Sequence, residues 1–198
     1  TYASAFAMRE LGFRRVLFLV HRGQLARQTR KSYEKVFANT VSMGLVGAGY
    51  HEYEADYVFA TVQTLNRDEH LLQYAKDAFD CIVLDEAHHV PADTYRKIMD
   101  HFTPKLWLGM TATPDKRDDN VEGRNVYEIF NYQIAYEIRL QQAMEENLLC
   151  PFHYFGITDL SMIGDEEAAR DFNMLTSDER VRHIVNQADY YGYSGDKV

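Results

Sequence analysis

The chain has 198 residues, of which 30 are acidic and 21 basic, for a net charge of −9: enough for one large domain, or a domain with an appendage, around a single substantial core. That charge excludes a uniformly basic surface, so any contact with a polyanion has to come from local basic groups and backbone donors. The cysteines, Cys81 and Cys150, show neither paired metal spacing nor a disulfide framework and read as packing residues of a reducing cytoplasm, while no apolar run approaches a membrane span and no signal-peptide layout opens the chain.

The first segment, residues 2–11, reads as a helix entered abruptly, without a starting Met, as in an excised piece. Nearly continuous apolar runs at 16–20, 57–60, 81–84 and 106–110 have the character of strands covered on both faces. Helical periods separate them at 24–37, about 68–78 and 92–102, the last with Pro91 placed for a helix N-terminus. Strands alternating with helices predict an α/β fold, a parallel sheet flanked by helices. Residues 115–125, charged and Gly-containing, read as an exposed loop. Then come an alternating segment at 132–138, a helix at 139–147 and a strand at 152–157, expected to extend the same sheet. A polar stretch, 158–171, leads to a helix from about 177 to 191 with Ser177 as a possible cap, and the tail GYSGDKV has the composition of a linker.

The sharpest chemical signal is VLDEAHH, residues 83–89. Ligands of doubly wound sheets bind at the carboxyl ends of strands, where Asp85 and Glu86 fall. One such carboxylate can hold Mg²⁺, usually through the ion's waters; the other can orient or deprotonate an attacking water. The plainer alternative is that both cap the following helix, with His88 and His89 on the surface. A second strand end, TATP at 111–114, narrows that alternative: Thr111 and Thr113 flank an Ala before a Pro that cannot continue a helix. By itself it is an ordinary Thr-Pro turn, but the two polar strand ends lie one strand-helix unit apart.

With these motifs in place, the chain resembles superfamily 2 helicases and translocases of the DEAD/DEAH-box kind, nearest to the helicase subunit of type III restriction enzymes. DEAH at 85–88 matches the family's Walker B element and TAT at 111–113 its coupling motif. LVHRGQLARQ at 19–28 and ATVQTL at 60–65 resemble its nucleic-acid motifs. The four elements follow the family's order over about the first three-fifths of the chain. The resemblance implies a RecA-like P-loop NTPase fold, with a first motor domain over 1–157 and a linker and helix over 158–198 leading to a second motor domain. It implies ATP and Mg²⁺ as cofactors and a nucleic-acid partner, DNA rather than RNA. By the same resemblance Asp85 serves Mg²⁺ and Glu86 the hydrolytic water, His88, Thr111 and Thr113 couple hydrolysis to movement, and His21, Arg22, Gln24, Thr61 and Gln63 face the nucleic-acid backbone. Such backbone contacts come from Arg, hydroxyls, amides and helix N-termini and carry no sequence information. Arg27 and Arg30 read instead as a solvated helix face.

The sequence departs from the family in one important place. The phosphate-cradling loop G-x-x-x-x-G-K-[ST] does not occur in it. Gly44 and Gly49 have the right separation, but Tyr50 and His51 follow where Lys and Ser/Thr are required. Thr1 could be the last residue of that loop, a hydroxyl for Mg²⁺. Without the loop and without a second domain, whose arginine finger is typically worth roughly 10³–10⁵ in rate, these residues alone are expected not to hydrolyse ATP. Two further classes stay open: a degenerate, non-hydrolysing binding module, against which Glu86 weighs, and a metal hydrolase using Asp85, His88 and His89, against which the lack of H-E-x-x-H weighs.

Overall fold

All five residues of Val16–Val20 are buried, because helices cover this strand on both faces and leave no side for polar residues. It is β1 of a six-stranded sheet with β2 (Met43–Gly47), β3 (Tyr50–His51), β4 (Tyr57–Thr61), β5 (Cys81–Asp85) and β6 (Leu106–Met110). The spatial order is β3-β2-β4-β1-β5-β6, every pair parallel except the β2–β3 hairpin. The helices are α1 (Tyr2–Leu11), α2 (Gly23–Phe37), α3 (Val62–Leu65), α4 (Asp68–Leu71), α5 (Asp93–His101), α6 (Val126–Ile129), α7 (Leu140–Glu145) and α8 (Asp178–Tyr190), with a 3₁₀ turn at Ala87–His89. These belong to a computed structural model that describes residues 1–38, 40–90, 93–114, 125–150 and 176–191.

The chain divides into two units, Thr1–Tyr136 and Glu137–Val198. In the first, the period-two alternation of the strands sends side chains into two cores. Val16, Phe18, Val20, Phe59 and Val83 pack with Met8 of α1 and Tyr33 and Phe37 of α2. Leu17, Leu19, Val58, Ile82 and Leu84 pack with Leu65, Tyr95, Ile98 and Phe102 on the other face. Cys81 is one of the packing residues, its thiol pushed up to about 12 by burial. In the second unit, α8 begins with Ser177 at its N-cap position but without a side-chain capping bond. Among the described residues no helix is long and apolar enough to cross a membrane.

Several expectations need correction. The helix expected over 68–78 ends at Leu71; from there, three-residue turns close through Gln73 N–H to His70 O, Tyr74 N–H to Leu71 O and Ala78 N–H to Ala75 O. Such turns keep Leu71 and Tyr74 in the core three residues apart, a spacing that also reads as helix. No strand forms over 132–138, and Cys150 is exposed rather than packed. β2 went unread because two of its five residues are glycines. Gly44 is needed there, since a Cβ would sit 2.5 Å from the Glu52 carbonyl oxygen. The expected features at 91–92, 115–124, 152–157, 158–171 and the tail from 192 lie outside the described residues.

Candidate functional site

Four adjacent strands, β4, β1, β5 and β6, end at one edge of the sheet. Val20 stands opposite Thr61, Leu19 opposite Leu84 and Asp85 opposite Met110. The register therefore brings His21 and Arg22, Thr61, Asp85 and Glu86, and Thr111 to a common C-terminal edge, where open α/β sheets bind ligands.

Asp85 ends β5 half-buried, its Oδ1 accepting the Glu86 N–H at 3.2 Å. Burial pushes its carboxyl above the ordinary value and the Glu86 charge adds to that; the Glu86 N–H and His21 pull against it. Such a carboxylate is short of positive charge. Glu86 takes up the left-handed conformation, φ 53° and ψ 50°, which is unfavourable for a residue with a Cβ and is a form of strain concentrated at functional sites. This turn converts strand into 3₁₀ helix within one residue, leaving Glu86 exposed while Ala87 and His88 go inward.

His88 is 7 % exposed. Its Nδ1 lies 2.9 Å from Thr111 Oγ1, 3.3 Å from Glu86 Oε2 and 3.5 Å from Thr113 Oγ1. Thr111 Oγ1 also accepts the Thr113 N–H at 3.1 Å. One ring nitrogen thus faces both the carboxylate and the hydroxyls, and whichever partner it bonds more strongly it bonds at the other's expense.

At the end of β1, His21 Nε2 is 2.8 Å from the hydroxyl of Tyr95, and burial holds the imidazole below its ordinary pKa against the opposing pull of Glu86 and Asp85. The His21 and His89 rings meet edge to face at 4.3 Å between centroids, and those of His88 and His89 lie 4.1 Å apart. Exposed Arg22 is the N-cap residue of α2, without a side-chain capping bond, and Gln24 is exposed in the first turn. A helix start of this kind offers N–H groups and positive potential to phosphate. Arg30 pairs with Glu34 at 2.8 Å and Glu52 at 3.3 Å, in keeping with its bland reading.

Thr61 is engaged locally: its Oγ1 caps α3 by accepting the Thr64 N–H at 3.2 Å and lies 2.8 Å from Thr64 Oγ1. Gln63 is exposed on α3. Thr1 stands exposed at the N-cap of α1, without a side-chain capping bond. Despite the His88–His89 pairing, no group of three or more His, Cys, Asp or Glu among the described residues is arranged to hold a metal ion, so Asp85, His88 and His89 do not form one. A recess lined by Met8, Phe13, Phe37, Val41 and Tyr57 lies at the opposite end of the strands, away from these groups. Sequence reasoning missed Tyr95, which helical spacing marks only as a core position, and Thr64, whose signal was the T-x-x-T spacing of a helix cap.

Residues 1–116 match the family model described as "Type III restriction enzyme, res subunit". The chain is 27 % identical over 184 residues to a putative ATP-dependent helicase, IRC3, of Saccharomyces cerevisiae, covering 85 % of this chain and 25 % of the relative. It is 28 % identical over 186 residues to the type I restriction enzyme EcoAI endonuclease subunit of Escherichia coli, covering 89 % and 22 %. It thus spans about a quarter of the length of these relatives. The crystal structure of the Pyrococcus furiosus Hef helicase domain shares the fold, with a TM-score of 0.52 at 20 % identity over 66 % of this chain and 31 % of that one. The match to the family model, joined to a parallel sheet that gathers the DEAH and TAT elements at one edge, places this chain in the type III restriction enzyme res subunit family, with a RecA-like helicase fold.

Proposed function

We propose that the chain is the first motor domain of an ATP-dependent helicase or translocase that moves along nucleic acid through backbone contacts. The observation that carries this reading is the contact of one histidine, His88, with both Glu86 and Thr111, which ties a candidate hydrolytic base to a second strand end. In this reading Glu86, exposed and set by its left-handed backbone, accepts a proton from the attacking water. His88, Thr111 and Thr113 pass the state of that site to the rest of the sheet edge. His21, Arg22, Gln24 and Gln63 face nucleic-acid phosphates, and Thr61 shapes the α3 start beside them.

Mg²⁺ fits the residues present. Asp85 offers hard oxygen ligands and a half-buried charge that burial disfavours and a divalent cation would stabilise. Exposed Thr1 would add a hydroxyl ligand. Bound together, the ion and nucleotide supply the phosphoryl group to be transferred and neutralise its developing charge. DNA is favoured over RNA because the E. coli relative is a restriction endonuclease subunit. The motor domain is assigned to 1–157, and 158–198 to a connection toward a second motor domain of the same chain. A cytoplasmic setting goes with this role. The 198 residues contain no Walker A loop, so alone they should not turn over ATP.

The test is ATP hydrolysis by the full-length protein with Mg²⁺, alone and with duplex DNA, single-stranded DNA or RNA of one sequence. Hydrolysis stimulated by DNA supports the reading. Nucleic-acid binding with no hydrolysis at all would instead identify a degenerate binding module.

A further inference from the structure

The motor's parts leave Tyr95 and His89 without a role. Tyr95, on α5, is 1 % exposed, and its ring fills the same core as Ile98 and Phe102. Phenylalanine would fill that space equally well, so the hydroxyl is what needs explaining. Burying a hydroxyl is costly unless it is hydrogen-bonded, and this one lies 2.8 Å from His21 Nε2. The His21 ring rests against His89 at 4.3 Å, and His89 against His88 at 4.1 Å. His88 in turn reaches Glu86 Oε2 at 3.3 Å. Side-chain contacts therefore run unbroken from α5 and the end of β1 to the carboxylate at the end of β5.

We propose that Tyr95 is a positioning residue: its hydroxyl donates to Nε2 of His21, fixing the tautomer with its proton on Nδ1 and holding the ring against His89, so that phosphate engaged at the end of β1 is felt at Glu86. A neutral imidazole has one donor and one acceptor nitrogen. With Nε2 accepting from Tyr95, Nδ1–H is the nitrogen left to donate to a phosphate oxygen. His89 serves as the packed spacer between that ring and His88. In the motor described above, on which this role depends, the contacts join the nucleic-acid side of the edge to its hydrolytic side.

The measurement uses the full-length protein and its Tyr95→Phe and His89→Leu variants. Three quantities are read: ATP hydrolysis without nucleic acid, hydrolysis at saturating duplex DNA, and the DNA concentration giving half-maximal stimulation. For Tyr95→Phe we expect unchanged basal hydrolysis, a higher half-saturating DNA concentration, and no more than the small fall in melting temperature that goes with one hydrogen bond. The maximal stimulated rate should fall roughly two- to tenfold, the change in an equilibrium that follows loss of one net hydrogen bond. His89→Leu should show the same split between stimulated and basal rates. Parental stimulation in both variants overturns the role of Tyr95 and leaves the motor intact. So does a parallel fall of basal rate, stimulated rate and melting temperature, which would make Tyr95 a core residue only. A parent protein that neither DNA nor RNA stimulates overturns the motor reading itself, and this role with it.

Discussion

The Nδ1 atom of His88 stands 2.9 Å from the Thr111 hydroxyl and 3.3 Å from the Glu86 carboxylate, so the ends of β5 and β6 share one ring nitrogen. A change at either partner alters the strength of the bond to the other. That competition is the physical basis proposed for coupling hydrolysis to movement.

Removing both hydroxyls, Thr111→Ala with Thr113→Ala, should free His88 to bond Glu86 alone. DNA-stimulated ATP hydrolysis is expected to survive better than strand or triplex displacement measured beside it. Thr111→Ala alone should cost about 1 kcal/mol in denaturant unfolding, the typical net value of one hydrogen bond. Equal loss of both activities would reduce the threonines to structural residues.

Asp85 gives a prediction with a definite sign. Its folded-state pKa is raised, mainly by burial, so the folded chain holds this proton more tightly than the unfolded chain. Stability from this group is therefore lost as pH rises from the ordinary carboxylate value through the raised one. Without Mg²⁺, Asp85→Asn should melt higher than the parent at neutral pH, and the difference should vanish in acid below the ordinary carboxylate value. Mg²⁺-dependent nucleotide binding should weaken in the same variant. A lower melting temperature at neutral pH would contradict the assignment of an uncompensated charge.

Gly47 ends β2 at φ 112°, and a Cβ there would lie 2.5 Å from Thr64 Oγ1. Gly47→Ala should destabilise by more than about 1 kcal/mol, because Ala resists positive φ even before the clash is counted. Adding Thr64→Ala, which removes Oγ1 and Cγ2 but keeps the Cβ at 3.1 Å, should recover most of the steric part and leave the backbone part. Denaturant midpoints of the single and double variants separate the two, and a Gly47→Ala midpoint equal to the parent's would refute both.

How far all this was legible in the sequence depended on the kind of interaction. β1 and β5 could be read because burial on both faces makes every residue of Val16–Val20 and Cys81–Leu84 apolar, a one-dimensional signal. The acids and threonines could be read because they follow such runs directly. β2 could not, since the glycines that admit Glu52 and Thr64 beside it also erase its strand character. Nor could the bond between Tyr95 and His21, which are 74 positions apart: a tyrosine at a core position of a helix announces its ring but not where its hydroxyl goes. Thr61 illustrates the converse. The resemblance assigns it to nucleic acid, while the bond its hydroxyl oxygen makes is the cap of α3.

The most direct test of the central claim is single-turnover and steady-state ATP hydrolysis by the full-length protein and its Glu86→Gln variant, with nucleotide affinity measured alongside. If Glu86 is the base for the attacking water, the variant keeps nucleotide affinity nearly unchanged and loses about 10²–10⁴ in rate, the usual contribution of a positioned base. Hydrolysis at the parental rate by Glu86→Gln would contradict the account.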